Sequence, residues 1–253
     1  MKVENKVAII TGASSGFGSA LAWRISGKGG KVVLADVVEA AGGKLEKEIN
    51  KKYGDNTALF VKCDVASVSD TKNLIQKTLD KFQRFEIMIN NAGIGEKVNF
   101  NEDINDNWFK VVEIDLIGVI LGTRFAITHF INTKTKGVIL NTASLAGLYP
   151  QPLQPVYAAA KGGVVHFTRS LANLNDMHGI RVNAICPSFS PTPLIKSGSA
   201  AEMLQGVPLV SVDQVVDAFM LAIEDDSVYG KSIRITPQLG IDFYEFRKSK
   251  SSL

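Results

Sequence analysis

Short apolar segments rich in β-branched residues alternate along the chain with longer segments whose apolar residues recur at helical spacing. Segments of the first kind predict strands, and segments of the second kind predict helices. The predicted strands are Val7–Thr11, Val32–Ala35, Ala58–Cys63, Ile87–Asn90, Val138–Thr142, Arg181–Cys186 and Ser232–Thr236. The predicted helices are Ser15–Ser26, Glu39–Lys52, Ser69–Phe82, Asp106–Asn132, Tyr157–Asp176 and Ser211–Ile223.

This alternation indicates right-handed βαβ crossovers and a parallel sheet. Uninterrupted apolar strands such as Val7–Ile10 fit a sheet that is covered by helices on both faces. No linker, composition change or internal repeat divides the chain. We therefore expect one α/β domain over residues 1–253, a Rossmann-type doubly wound parallel sheet of about seven strands. Ligands of such sheets bind beyond the carboxyl ends of the strands, so functional residues should follow the strands.

Composition and charge exclude several function classes. The 253 residues are 45% hydrophobic, which supports a large core and rules out intrinsic disorder. The 28 basic residues are interleaved with 25 acidic ones, so we do not expect nucleic-acid binding. Two cysteines cannot form a disulfide framework, and the three histidines show no metal-ligand spacing. The longest uncharged stretch, 137–160, contains too many prolines and amides for a membrane span. We expect a soluble cytoplasmic protein without a metal site or a membrane span.

A glycine-rich turn follows the first predicted strand and opens the first predicted helix. Gly12, Gly16 and Gly18 lie within Thr11–Gly18 with the spacing G-x3-G-x-G. Such a turn lets the backbone approach a pyrophosphate, and the helix start supplies free N–H groups and a positive dipole end. Because the spacing differs from G-x-G-x-x-G, the turn alone is weak evidence for a dinucleotide site.

An acidic residue at the end of the second predicted strand strengthens this hypothesis. Asp36 lies about 20 residues after Gly16, where a carboxylate accepts hydrogen bonds from the adenosine ribose and repels a 2′-phosphate. Neither Ser15 nor Val37 is basic, so nothing there would neutralise that phosphate. The sequence therefore favours NAD over NADP.

Three further residues suggest proton-transfer chemistry. Ser144 follows the fifth predicted strand, and Tyr157 and Lys161 are spaced i, i+4, which places them on one helix face. An ammonium beside a phenol lowers the pKa of the phenol towards the working range, and a serine hydroxyl can hold the substrate oxygen. Singly each residue has a plain structural interpretation, because Tyr-x3-Lys on a helix is common.

In order and spacing these motifs resemble the short-chain dehydrogenases/reductases. The resemblance rests on Thr11–Gly18, Asn90-Asn91-Ala92-Gly93, Ser144, Tyr157-x3-Lys161 and Asn183–Pro187. Within that family, the chain resembles the NAD-dependent 15-hydroxyprostaglandin dehydrogenases at Ser144–Leu148, Gln154–Tyr157, Phe167–Ser170, Ile223–Asp226 and Gly240–Phe243.

The resemblance implies roles for the residues at matching positions. Catalysis would involve Ser144, Tyr157, Lys161 and Asp115, and the substrate hydroxyl would be held by Ser144, Gln154 and Tyr157. The implied NAD-binding residues are Gly12, Ser14, Ser15, Gly16, Phe17, Gly18, Asp36, Val37, Cys63, Asp64, Val65, Asn91, Gly93, Tyr157, Lys161, Pro187, Ser190 and Thr192. A homodimer or homotetramer is implied as well.

The chain departs from the family's pattern at three places. Asp115 stands where the family usually has Asn, and its negative charge near Lys161 would alter the pKa of the tyrosine. Ser188 replaces the usual glycine after Pro187, which leaves the local loop shape open. The expected substrate loop, 193–210, is short compared with the prostaglandin enzymes, so substrate specificity transfers least well.

The sequence thus predicts an NAD-dependent alcohol dehydrogenase with Tyr157 as general base. The apolar residues expected around the site favour a hydrophobic secondary alcohol, such as a hydroxy fatty acid or a prostaglandin-like molecule; they are Leu145, Leu148, Tyr149, Leu153, Phe189 and Leu194. One alternative is an NADPH-dependent carbonyl reductase, which Asp36 opposes. Another is a nucleotide-sensing protein with little turnover, which Asp115 and Ser188 keep open.

Overall fold

In the computed structural model, which describes residues 1–196 and 206–246, eight strands lie side by side in a single sheet. They are β1 (Val7–Thr11), β2 (Lys31–Asp36), β3 (Ala58–Lys62), β4 (Ile87–Asn90), β5 (Val138–Thr142), β6 (Arg181–Pro187), β7 (Ser232–Thr236) and β8 (Gly240–Phe243). Their order is β3-β2-β1-β4-β5-β6-β7-β8, and every neighbouring pair is parallel except β7 and β8. The doubly wound parallel sheet predicted from the sequence is confirmed.

Helices cover both faces of this sheet. They are α1 (Gly16–Gly27), α2 (Glu39–Tyr53), α3 (Val68–Phe82), α4 (Asn107–Val112), α5 (Gly118–Thr133), α6 (Pro155–Ser170), α7 (Leu174–His178), α8 (Pro193–Lys196) and α9 (Val212–Glu224). Along β1, Ala8 and Ile10 join the core cluster that contains α1, α2 and α9, whereas Val7 and Ile9 join the cluster that contains α3 and α5. Because both faces are buried, β1 is apolar at every position from Val7 to Ile10.

The eighth strand was not predicted. Gly240–Phe243 pairs antiparallel with β7 through a short turn, and Gly240 has a φ of +67°. The strand is only four residues long, and none of its residues is fully buried. A segment of four residues carries little periodic signal.

Two predicted helices are interrupted. The predicted helix Asp106–Asn132 consists of α4, one π-helical turn at Glu113–Ile117, and α5. The predicted helix Tyr157–Asp176 begins earlier, at Pro155, and ends at Ser170, before the short α7. No proline or glycine lies within either interruption, and Gly118 comes only after the first one. The apolar pattern therefore did not predict these breaks.

The predicted start of the last long helix is confirmed in detail. Ser211 Oγ accepts the N–H of Gln214, and Gln214 Oε1 accepts the N–H of Ser211, which completes a capping box. None of the helices in the described ranges is long and apolar enough to cross a membrane.

Candidate active site

A cavity of about 830 Å³ opens at the carboxyl ends of the parallel strands. It brings together segments that follow β1, β2, β3, β4, β5 and β6, as expected for a doubly wound sheet. The proposed NAD-binding residues that line it are Gly12, Ser15, Gly16, Phe17, Asp36, Val37, Cys63, Asp64, Val65, Asn91, Gly93, Tyr157, Lys161, Pro187, Ser190 and Thr192. The proposed catalytic and substrate residues Ser144, Asp115 and Gln154 line the same cavity.

The glycine-rich turn has the close backbone packing that its sequence predicts. Gly12 has a φ of +61°, and a Cβ on Gly18 would lie only 2.3 Å from the carbonyl oxygen of Gly12. Asn91 fixes the turn from β4, because its Nδ2 donates to the carbonyl oxygens of Thr11, at 2.9 Å, and Gly12. Beyond the cofactor contact implied for it, Asn91 thus shapes the turn itself.

Asp36 is held in place at the end of β2 by backbone groups. Its Oδ2 accepts the N–H of Ser14 at 2.9 Å, and its Oδ1 accepts the N–H of Val38 at 3.0 Å. Ser14 and Gly18, which the resemblance assigned to NAD binding, do not line the cavity. Ser14 instead anchors Asp36 through its backbone, and Gly18 lies beneath the turn.

The three residues proposed for proton transfer meet at one wall of the cavity. Ser144 follows β5, and its Oγ accepts the N–H of Ala146 at 3.1 Å. Tyr157 and Lys161 extend from the first turns of α6, with Lys161 Nζ 5.6 Å from the centroid of the Tyr157 ring. Lys161 Nζ donates to the carbonyl oxygen of Thr142 at 2.9 Å.

Asp115 reaches this wall from the π-helical turn. Its Oδ2 lies 3.0 Å from Lys161 Nζ, and the two side chains are 0% and 3% exposed. Its Oδ1 accepts the N–H of Ile94 at 2.8 Å. The departure from the family's Asn therefore adds a buried ion pair to the site.

The pKa of Tyr157 departs from the expectation drawn from its spacing to Lys161. Burial raises the pKa of the phenol above its ordinary value, and the Lys161 ammonium opposes that rise without overcoming it. The Asp115 carboxylate raises the pKa further, whereas the hydrogen bond with Ser144 lowers it. The pKa of Lys161 is itself raised: burial favours the neutral amine, but Asp115 and Tyr157 together favour the ammonium more strongly.

The residues around the cavity fit a bound dinucleotide. The cavity wall includes the start of α1, where backbone N–H groups have no intrahelical acceptor, and the fixed carboxylate of Asp36. Ser190 Oγ also faces this region: it is buried and has no hydrogen-bond partner within the described residues. A buried hydroxyl left unsatisfied in this way is accounted for by a polar ligand.

Glu96 is a site residue that the sequence did not reveal. Its Oε1 accepts the N–H of Tyr157 at 2.8 Å, and its carbonyl oxygen accepts from Gln154 Nε2 at 3.4 Å. Tyr157 is the third residue of α6, so its N–H would otherwise lack an acceptor in the helix. The only signal in the sequence was a carboxylate shortly after Asn90-Asn91-Ala92-Gly93.

The remaining cavity wall is largely apolar. Of the predicted apolar residues, the cavity is lined by Leu145, Tyr149, Leu153, Phe189 and Leu194. Leu148 does not line it and instead packs against the core cluster around Val164. In the expected substrate loop, 193–210, the residues that line the cavity are Pro193, Leu194 and Val207. Residues 197–205 of this loop lie outside the described residues.

Ser188, the departure after Pro187, continues the sheet. Its N–H donates to the carbonyl oxygen of Ile235 at 2.8 Å, extending the ladder between β6 and β7. A side chain is therefore accommodated where the family usually has glycine.

Comparison with known proteins places these features in a family. Residues 6–202 match the family model of short chain dehydrogenase. The chain is 34% identical to 15-hydroxyprostaglandin dehydrogenase [NAD(+)] of Bos taurus over 264 aligned positions, which cover 97% of this chain and 96% of the relative. It is 36% identical to meso-2,3-butanediol dehydrogenase of Serratia marcescens over 192 positions, covering 76% of this chain and 74% of the relative.

A solved structure agrees with the fold. The 3-ketoacyl-(acyl-carrier-protein) reductase from Brucella melitensis, complexed with NADH, is similar with a TM-score of 0.84 and 33% sequence identity. The match covers 92% of this chain and 97% of that chain.

Proposed function

The chain belongs to the short-chain dehydrogenase family, and from that premise we propose that it transfers hydride between a hydrophobic secondary alcohol and NAD. It is an NAD-dependent oxidoreductase. The observation that carries the proposal is the convergence of Ser144, Tyr157 and Lys161 on one cavity that also contains the glycine-rich turn and Asp36.

Tyr157 acts as the general base in this proposal. Its phenolate takes the proton of the substrate hydroxyl while the carbon of the alcohol loses its hydride, so that a ketone forms. NAD, when held at the glycine-rich turn and Asp36, would supply the acceptor for that hydride. In the reverse direction, Tyr157 as a phenol returns the proton to the carbonyl oxygen.

The neighbouring side chains hold the reacting groups. Ser144 donates a hydrogen bond to the substrate oxygen, and Gln154 helps to orient the substrate from the start of α6. Lys161 Nζ donates to Thr142 and forms an ion pair with Asp115, and it offers a further N–H to the hydroxyls of the cofactor ribose. Asp36 accepts from the adenosine ribose and, being an anion, disfavours the 2′-phosphate of NADP.

The substrate is proposed to be a hydroxy fatty acid or a prostaglandin-like alcohol. Apolar side chains on the cavity wall support this class, among them Leu153, Phe189 and Leu194. The bovine relative carries 15-hydroxyprostaglandin in its name, which supports the same class at 34% identity.

The test is a panel of secondary alcohols of increasing chain length, mixed with the protein and NAD. We expect the absorbance of reduced cofactor to rise, with kcat/KM greater for long-chain hydroxy acids than for short polar diols. Preference for a short polar diol would overturn the substrate class, and absence of turnover on every alcohol would overturn the activity.

We also propose that the protein works in the cytoplasm. Its two cysteines, Cys63 and Cys186, are free thiols buried in the core, which suits a reducing compartment. Imaging of a fluorescent fusion tests this localisation, and a signal confined to a secretory compartment would contradict it.

A homodimer or homotetramer is proposed in addition. The α4–α5 region exposes Phe109, Ile117 and Ile131, which are 51%, 41% and 40% accessible in the isolated chain. Apolar side chains exposed along these elements favour a partner copy. Light scattering after gel filtration should give a mass of two or four chains, and a monomer mass would contradict the proposal.

A further inference from the structure

Asp115 is an acidic side chain enclosed beside Lys161. The two charged groups are 3.0 Å apart, and neither side chain is more than 3% exposed. Its second oxygen accepts the N–H of Ile94, which fixes the carboxylate facing the ammonium. Burial raises the pKa of the Asp115 carboxyl, whereas the Lys161 ammonium and the N–H of Ile94 oppose that rise because they favour the carboxylate. At 3.0 Å the two opposite charges compensate each other.

Lys161 is therefore paired before any ligand binds. The carboxylate is in direct contact with its Nζ, whereas the Tyr157 ring centroid is 5.6 Å from the same atom. The Glu96 carboxylate, which accepts the N–H of Tyr157, adds a second negative charge on that side. If Tyr157 lost its proton, this buried group of side chains would gain an uncompensated negative charge, which costs free energy.

Among the described residues, the other titratable groups nearby do not supply the missing positive charge. Lys97, on the cavity wall, is exposed to solvent. On β6, burial raises the pKa of the Cys186 thiol to about 12, so the thiol is neutral at neutral pH. On α4, Lys110 Nζ is already paired with Glu113 at 2.8 Å. On α5, Arg124 is exposed to solvent, and burial lowers the pKa of His129, which keeps the imidazole uncharged.

We propose that Asp115, acting through Lys161, keeps Tyr157 in its phenol form until the oxidised cofactor binds in the cavity. The inference rests on the proposed function. The oxidised cofactor has a positive charge on its nicotinamide ring that the reduced form lacks, so only the oxidised form favours the phenolate. Binding of NAD⁺ then releases the Tyr157 proton to solvent, while binding of NADH leaves the phenol intact.

Proton release on binding makes affinity depend on pH. NAD⁺ should bind more tightly as pH rises, by up to about tenfold per pH unit where release is complete, and NADH affinity should change little. Asp115→Asn keeps the size of the side chain and an acceptor for the N–H of Ile94 but removes the charge. In this variant the pH range over which NAD⁺ affinity increases should move down by about one to two pH units.

Isothermal titration calorimetry measures both quantities. NAD⁺ and NADH are titrated into wild type, Asp115→Asn and Tyr157→Phe over about pH 6–10, in buffers of different ionisation enthalpy so that released protons are counted. In wild type we expect protons to be released when NAD⁺ binds but not when NADH binds. Tyr157→Phe should release none with NAD⁺, and Asp115→Asn should release the proton over a lower pH range.

Two outcomes would overturn the inference alone: equal proton release with NAD⁺ and NADH, or the same pH range in Asp115→Asn and wild type. Binding of neither cofactor would overturn the proposed function and this inference with it. The comparison of NAD⁺ with NADH on wild type needs no variant, so equal proton release there overturns the inference even if Asp115→Asn fails to fold.

Discussion

The Asp36 carboxylate accepts the backbone N–H of Ser14 at 2.9 Å, so the end of β2 is tied directly to the glycine-rich turn after β1. The turn that would receive the pyrophosphate and the acid that would receive the ribose are thus parts of one hydrogen-bonded unit. This arrangement makes cofactor choice sensitive to a single side chain.

Removing the Asp36 charge should weaken the preference for NAD. In Asp36→Asn we expect the ratio of NADPH to NADH dissociation constants to fall by about tenfold or more, since a charge-assisted hydrogen bond and a repulsion are both lost. Fluorescence titration of the two reduced cofactors measures the ratio. Asp55→Asn, which changes an exposed acid, is the matched control, and tight NADPH binding by wild type would refute this reading of Asp36.

Glu96 should position Tyr157 without touching the cofactor. Glu96→Ala removes the acceptor for the Tyr157 N–H, so we expect α6 to lose about 0.5–2 kcal/mol of stability at its start and kcat to fall. Glu96→Gln, which can still accept through its amide oxygen, should recover most of kcat. NADH affinity should change less than kcat in both variants, and a larger loss of NADH affinity would argue against a positioning role.

A buried polar network beneath the site should contribute to stability. Asn90 Nδ2 donates to Asn141 Oδ1 at 2.8 Å, and Asn141 Nδ2 donates to Thr168 Oγ1 at 3.0 Å. Asn141→Ala removes the acceptor of one Asn90 N–H and the donor to Thr168 Oγ1, at about 1–3 kcal/mol for each group left unsatisfied, while Asn90 keeps its hydrogen bond to Thr123 Oγ1. Urea denaturation should show the loss, while Asn105→Ala at an exposed position should change the free energy of unfolding little.

Alcohol oxidation should be favoured by alkaline pH. Burial raises the pKa of Tyr157, so at neutral pH most of the free protein holds the phenol and only a small fraction holds the base. Below that pKa, kcat/KM for NAD⁺, which meets the free protein, should rise by up to about tenfold per pH unit. The rate of ketone reduction should not rise in the same range. A kcat/KM for NAD⁺ that is independent of pH from neutral to alkaline conditions would contradict the role of Tyr157.

Much of this architecture was predictable because its causes are local. The strands Val7–Thr11 and Val138–Thr142 have the predicted bounds, since the apolar residues with which each begins suit a sheet buried on both faces. The convergence of Ser144, Tyr157 and Lys161 followed from the rule that the carboxyl ends of parallel strands share one edge.

What the sequence did not predict depends on contacts between distant segments. The π-helical turn that buries Asp115 has no local marker, and the cap from Glu96 to Tyr157 joins residues on different elements. The raised pKa of Tyr157 has the same origin, because burial and Asp115 act on it from outside its own helix.

In the proposed mechanism Tyr157 transfers the proton during NAD-dependent oxidation of a secondary alcohol, and this role is tested by comparing turnover by wild type and Tyr157→Phe. With the best alcohol of the panel, we predict that Tyr157→Phe lowers kcat by about 10²–10⁴-fold while NADH still binds. A Tyr157→Phe protein that reduces NAD as fast as wild type would contradict the account.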